Sequence, residues 1–286
     1  MTGTMCQVAL VQLRTPYRII AARDHALPLV EKAMATGADL IILPETCNMM
    51  ARDSFMLRAS ACAEVDDLFV ASMRERAAHH ARWILLGSVV VRTTDGRCAN
   101  RSLLIDPTGG ISARYDKIHL FDVHLDNGEM HRESDIYVPG SIATVADTPW
   151  GGLGLSICYD IRFPELYRDL AMAGAVMHAV PAAFTAQTGK AHWETLLRAR
   201  AIETGSYILA AAQGGEHAGG AVTWGRSMIV SPWGHVVAMA VDDSPDVVIA
   251  TLDLSAVDHA REKIAALAHR RAYTVPKSPE KDRVHG

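Results

Sequence analysis

The first fifty residues constrain the fold most. Residues 6–13 read Cys-Gln-Val-Ala-Leu-Val-Gln-Leu, an apolar strand pattern. Ala26, Leu29, Val30, Ala33 and Met34 then recur at helical spacing, with Asp24 placed to cap the helix and Gly37 to stop it. A second apolar run, residues 38–43, ends at Pro44. Strand, helix and strand in so short a stretch form a βαβ unit, and its parallel strands need a sheet buried beneath helices. The alternation continues along the chain. Further helices are expected over 65–81, 164–173, 192–204 and 254–269. Further strands are expected over 83–91, 98–105, 151–157, 175–180, 207–212, 227–230, 236–239 and 247–252. Thr-Thr-Asp-Gly at 93–96 signals a hairpin, and residues 106–110 another turn. Hairpins mixed with βα units point to one α/β domain with two stacked sheets over residues 1–270, followed by a tail at 271–286. Residues 115–139 lack periodicity and are rich in His, Asp and Glu, as functional loops often are. Gly214, Gly215, Gly219 and Gly220 flank Glu-His-Ala and read as a flexible loop.

Composition narrows the function classes. Hydrophobic residues make up 49% and charged residues 21% of the 286, which excludes a disordered chain. A net charge of −4 with dispersed charges argues against a partner that is nucleic acid or an anionic membrane. Residues 171–189 carry no Asp, Glu, Lys or Arg, yet Gly174, His178, Pro181 and Gln187 break them too often for a membrane span. The N-terminus lacks the early positive charge of a signal peptide. Five cysteines, an odd number with no Cys-x-x-Cys pair, argue against a disulfide scaffold or structural zinc and favour a reducing, cytoplasmic setting.

Three residues stand where chemistry can occur. Cys158 ends the apolar run before a helix that starts at Pro164, and a strand-to-helix turn exposes a nucleophile near free backbone N–H groups. A buried structural thiol fits the same position. Glu45 follows Leu-Ile-Ile-Leu-Pro at the end of a buried strand, where partial desolvation would suit a general base; an exposed loop glutamate is the alternative. Lys117 lies among mixed apolar and charged neighbours, either stabilising a negative oxygen or solvated in a loop. None of the thirteen histidines sits in a metal or catalytic motif, and His119, His124 and His131 read as loop residues. No dinucleotide or phosphate-binding glycine pattern is present.

Taken together, Leu43-Pro44-Glu45, Tyr115-Asp-Lys117-Ile-His-Leu-Phe-Asp122 and Ser156-Ile-Cys158-Tyr-Asp-Ile-Arg-Phe-Pro-Glu165 resemble the nitrilase superfamily of carbon–nitrogen hydrolases, in that family's order. Cys158-Tyr159-Asp160 matches the amidase branch rather than the Cys-Trp-Glu of true nitrilases. Residues 183–203 and 224–234 are similar to the branch that holds deaminated-glutathione amidase and omega-amidase. Arg226, where close relatives often carry His, is a departure expected to bear on substrate choice. The resemblance implies a four-layer α-β-β-α sandwich that forms homodimers, with no metal or organic cofactor. It implies a small-molecule amide substrate and a thioester on Cys158. Glu45 would be the base, with Lys117 and the backbone N–H of Tyr159 holding the oxyanion. Glu133 would orient Lys117, and that charge would help keep the thiol acidic. Phe184, Thr185 and Arg162 are the expected pocket residues. A nitrilase or an N-carbamoyl amino acid hydrolase is the rival within the enzymes, and a catalytically silent scaffold the rival outside them.

Overall fold

The computed structural model describes residues 5–50, 54–124 and 130–276. β1 (Met5–Gln12), α1 (Ile19–Ala35) and β2 (Leu40–Ile42) form the opening βαβ unit, and Val8 pairs in parallel with Leu40. Asp24 lies inside α1 instead of capping it, because Ala22 is already buried and the helix extends back to Arg18. Gly37 leaves the helix with φ +85°, a conformation that favours glycine.

Next come α2 (Ser54–Ser60), α3 (Leu68–His80), β3 (Trp83–Arg92), β4 (Cys98–Ile105) and β5 (Ile111–Asp116). α3 starts later than the spacing predicts because Asp67 caps it, its carboxylate accepting from the N–H groups of Phe69 and Val70 at 2.7 and 3.2 Å. Inside the polar loop, β6 (Asp122–His124) pairs with β7 (Met130–Arg132). The second half holds β8 (Thr144–Thr148), β9 (Gly151–Leu155), α4 (Pro164–Met172), β10 (Ala175–Ala179), α5 (Ala186–Thr204) and β11 (Tyr207–Ala210). It continues with β12 (Gly214–Glu216), β13 (Val222–Trp224), β14 (Met228–Val230), β15 (Val236–Met239), β16 (Asp246–Asp253) and α6 (Ser255–Lys263).

Three expectations need correction here. α5 begins before His192, at Ala186, because the Thr185 hydroxyl caps it by accepting from the Thr188 N–H at 3.3 Å. The glycine-rich segment is no open loop; β12 and β13 pair across it in a short antiparallel hairpin. α6 also stops at Lys263, short of the expected His269. The last ten residues of the expected tail, 277–286, lie outside the described residues.

The strands make two six-stranded sheets, ordered β16-β1-β2-β3-β4-β5 and β15-β14-β11-β10-β9-β8. Strand alternation shows how they stack. Val8, Leu10, Leu40, Ile42 and Leu85 share a core with Leu153, Leu155 and Met177 of the second sheet. Ala9, Val11 and Ile41 instead pack on Ala26 and Val30 of α1 and Phe69 and Met73 of α3. Leu166 and Tyr167 of α4 and Trp193 and Leu197 of α5 pack on the second sheet. The result is an α-β-β-α sandwich. Each fully buried aliphatic side chain of the inner layer contributes roughly 1.5–3 kcal/mol. Among the described residues, no helix is long and apolar enough to cross a membrane.

Candidate active site

β2 and β9 lie in opposite sheets, and their ends bring Glu45 and Cys158 together between the layers. Pro44 and Glu45 follow β2 directly, and Thr46 turns the chain with φ +51°, its N–H donating to Ser88 Oγ at 2.8 Å. Gln213 Nε2 donates to the Glu45 carbonyl at 2.8 Å and fixes that backbone. Past β9, Cys158 itself adopts φ +50°, a left-handed conformation that costs a non-glycine residue of the order of 1–3 kcal/mol. The turn is held on both sides. The Cys158 N–H donates to the Pro181 carbonyl at 2.9 Å, and the Asp160 carboxylate accepts from the Ile157 N–H at 2.8 Å.

Asp160, fully buried, is the anchor of this corner. It also accepts from Tyr115 OH at 2.6 Å and from the His119 N–H at 3.0 Å, and His119 Nδ1 lies 2.7 Å away. The His119 ring stacks on Phe163 at 3.5 Å, so it braces the turn instead of standing free in a loop. Tyr115 belongs to β5 and Lys117 follows that strand directly. The Tyr115–Asp160 bond therefore ties the segment bearing the ammonium to the turn bearing the thiol.

The charged groups meet at the edge of a cavity that Glu45 and Glu133 line and Lys117 does not. Lys117 is 1% exposed, and its Nζ donates to Glu45 Oε1 at 2.8 Å and contacts both Glu133 oxygens at 3.0 and 2.8 Å. Glu133, at the start of the turn after β7, also accepts from the Phe121 N–H at 2.8 Å. Glu45 Oε1 takes a second bond from Asn100 Nδ2 at 2.9 Å, and Oε2 accepts from the Ala183 N–H at 2.9 Å. Burial works against the Lys117 charge, but Glu133 and Glu45 outweigh it and hold the ammonium well above its ordinary range. Burial pushes Glu133 up, against the pull of Lys117.

The thiol departs from expectation. Burial, then the charge of Glu45, push Cys158 well above the ordinary thiol range, and Lys117 offsets this only in part. Lys117 pulls the thiol toward acidity, as expected, but burial and Glu45 outweigh that pull. The proton stays on sulfur, hydrogen-bonded to Glu45, until a base takes it.

A cavity of about 400 Å³ opens above the thiol. Phe184, Thr185 and Arg162, named from sequence, line it, and Arg132, Phe121 and His217 join them. Tyr159 lines it too, and its backbone N–H lies in the first turn of the short 3-10 segment Cys158–Arg162, where such groups lack partners within the helix. Arg226 does not line the cavity. Gly225 and Arg226 both take left-handed φ, +66° and +60°, which turns the side chain away to the Val241 carbonyl. Among the described residues no cluster of His, Cys, Asp or Glu could hold a metal ion.

Sequence reasoning missed Asn100, Asp160, Tyr115 and Gln213 as parts of this site. Asn100 carried a signal, a polar side chain within the apolar run 98–105. Asp160 carried another, two positions after the cysteine.

Comparison with known proteins accords with this fold. The chain is 42% identical over 272 residues to a deaminated glutathione amidase of Yersinia enterocolitica, covering 92% of each. The crystal structure of the Caenorhabditis elegans NitFhit protein superposes with a TM-score of 0.88 at 37% identity, covering 95% of this chain and 66% of that one. An amidase variant from Nesterenkonia sp. AN1, with the acetamide moiety of fluoroacetamide bound covalently at its active-site cysteine, superposes at 0.76 with 25% identity, covering 93% and 94%. The carbon-nitrogen hydrolase family model matches residues 7–262, nearly the whole chain, and the protein belongs to that family.

Proposed function

We propose that this enzyme is an amidase that hydrolyses a small carboxylate-bearing amide, of the deaminated-glutathione or α-keto-acid amide type, to acid and ammonia. One observation carries the reading: a buried thiol on a left-handed turn, at the floor of a cavity, with a carboxylate and an ammonium beside it. Arg132 and Arg162 in the cavity wall support a substrate with a carboxylate.

The chemistry runs in two halves. Glu45 takes the Cys158 proton, and sulfur forms a bond to the amide carbonyl carbon. The carbonyl electrons move onto oxygen, which Lys117 Nζ and the Tyr159 N–H hold. The C–N bond then breaks as Glu45 passes its proton to nitrogen, ammonia departs and the thioester remains. In the second half Glu45 takes a proton from water, and the resulting hydroxide attacks the thioester. The C–S bond breaks and sulfur recovers its proton. Glu133 keeps Lys117 charged and in place throughout. Since the resting thiol is neutral, proton removal by Glu45 is part of the first barrier, and a positioned base is worth about 10²–10⁴-fold.

The test is ammonia release from a panel of such amides by wild type and Cys158→Ala. Activity is expected to fall below detection in the variant. Turnover surviving the substitution would sink the mechanism. Carbon dioxide appearing with ammonia from carbamoyl substrates, or acid formed from nitriles, would move the substrate class instead.

A further inference from the structure

The two oxygens of Glu45 are not equivalent. Oε1 accepts two hydrogen bonds, from Lys117 Nζ at 2.8 Å and Asn100 Nδ2 at 2.9 Å, which fills both of its lone pairs. Oε2 accepts one N–H, from Ala183 at 2.9 Å, so its other lone pair is the one left for the Cys158 thiol that bonds Glu45. We infer that Asn100 is a positioning residue: it commits Oε1 to a fixed role, so that Oε2 carries every proton that Glu45 moves. The inference rests on the reading of Glu45 as the base.

A second observation about Asn100 supports it. The side chain is 1% exposed, and among the described residues its Oδ1 has no hydrogen-bond partner. A buried acceptor left without a donor costs stability, so an amide satisfied on one side only is a poor packing element. A leucine of similar size would fill that space without an orphaned oxygen. What leucine cannot supply is the bond to Glu45. The backbone of Asn100 serves the same corner, since its carbonyl accepts from the Lys117 N–H at 2.9 Å. One residue thus sets the place of both the ammonium and the carboxylate oxygen that faces it.

Titratable groups from several elements face Glu45. Lys117 comes from the end of β5, Glu133 from the turn after β7, Cys158 from the turn after β9, and Tyr137 from the loop behind Glu133. None of these changes when Asn100 is replaced, so the effect of one lost donor can be read separately.

The experiment measures kcat and KM for Asn100→Leu and Asn100→Asp between about pH 5 and 9, with Glu45→Gln as control and urea unfolding of each variant alongside. For Asn100→Leu, kcat is expected to fall about 10- to 100-fold, the worth of one hydrogen bond to a charged group, with KM nearly unchanged. The acid limb of kcat/KM moves to higher pH, because a carboxylate missing a donor holds its proton more tightly. Asn100→Asp is slower still at neutral pH and recovers on acidification, as the introduced carboxyl gains a proton to donate. An unchanged kcat and acid limb in Asn100→Leu overturns the inference. So does a fall in kcat that tracks lost stability with the acid limb unmoved. If Asn100→Leu does not fold, Asn100→Asp decides: recovery on acidification supports the inference, and a pH-independent loss overturns it. Full activity in Glu45→Gln is a different failure, that of the base assignment itself.

Discussion

The ends of β2 and β9 are built alike, and each holds a buried cysteine. At the β2 end Thr46 takes φ +51° and Cys47 follows it; at the β9 end Cys158 itself takes φ +50°. Both thiols are pushed well above their ordinary range, Cys47 by burial and the charge of Asp67, Cys158 by burial and the charge of Glu45. They differ in what lies within reach. The Cys47 thiol donates to the Ser88 carbonyl at 3.1 Å, an oxygen that cannot take the proton away, and it is closed off from solvent. The Cys158 thiol faces a carboxylate and opens onto the cavity. Intrinsic acidity does not separate the two cysteines. A base and an access route do.

The largest expected effect turns one end into the likeness of the other. Glu45→Gln removes the proton acceptor and lowers turnover by about 10²–10⁴-fold. In the wild type, iodoacetamide at neutral pH should alkylate Cys158 well ahead of Cys47, as read by mass spectrometry of the digested protein. In Glu45→Gln labelling of Cys158 should slow, leaving only the part of the preference that access gives. Equal labelling of both thiols in the wild type would break the comparison outright.

A smaller effect concerns how firmly each turn is held. Asp160 accepts from Tyr115, His119 and Ile157 at the β9 end. Asp160→Ala strands several buried donors and should cost ~3 kcal/mol or more in urea unfolding. At the β2 end the Ser88 hydroxyl accepts only the Thr46 N–H at 2.8 Å among the bonds that hold the turn, and Ser88→Ala should cost ~1 kcal/mol. Equal losses would show that the strained cysteine turn needs no special anchor.

The smallest effect at neutral pH lies one strand from β9. His178 on β10 is fully buried, and among the described residues neither ring nitrogen has a hydrogen-bond partner. Burial lowers its pKa from 6.5 to about 3. The native ring stays neutral while the unfolded chain takes up a proton below about pH 6.5, so acidification favours unfolding. This histidine therefore contributes a stability loss of about 1.4 kcal/mol per pH unit as pH falls from 6.5 towards 3, and none above that window. His178→Leu should flatten that slope in unfolding midpoints taken at several pH values. An unchanged slope would assign the acid sensitivity to other groups.

Much of the frame was legible along the chain. Runs with period two and period 3.6 located β1, β2, β3, β4 and α4 to within a few residues, since local burial patterns need only the local sequence. Helix starts were read less well where a side-chain cap decides them, as Asp67 and Thr185 do. The hairpin of β12 and β13 was missed because its glycines look like a loop until Phe184 and Thr185 pair with Trp224 and Thr223 of β13. Among site residues, Glu45, Lys117, Glu133 and Cys158 were named, while Tyr115 and Asp160 passed unnamed although they stand in the same segments as Lys117 and Cys158. The supporting groups Asn100, Tyr115 and Gln213 were missed because each lies far along the chain from the residue it serves.

The sequence by itself determined the layer pattern, the family and which of its polar residues were candidates for the site, because apolar periodicity and short motifs are local properties. Tertiary structure decided the rest. It set which oxygen of Glu45 is occupied, why the Cys158 thiol rests protonated, and why Arg226 lies off the cavity. These depend on desolvation and on bonds between segments far apart in the chain, and such terms exist only once the two sheets have closed on each other.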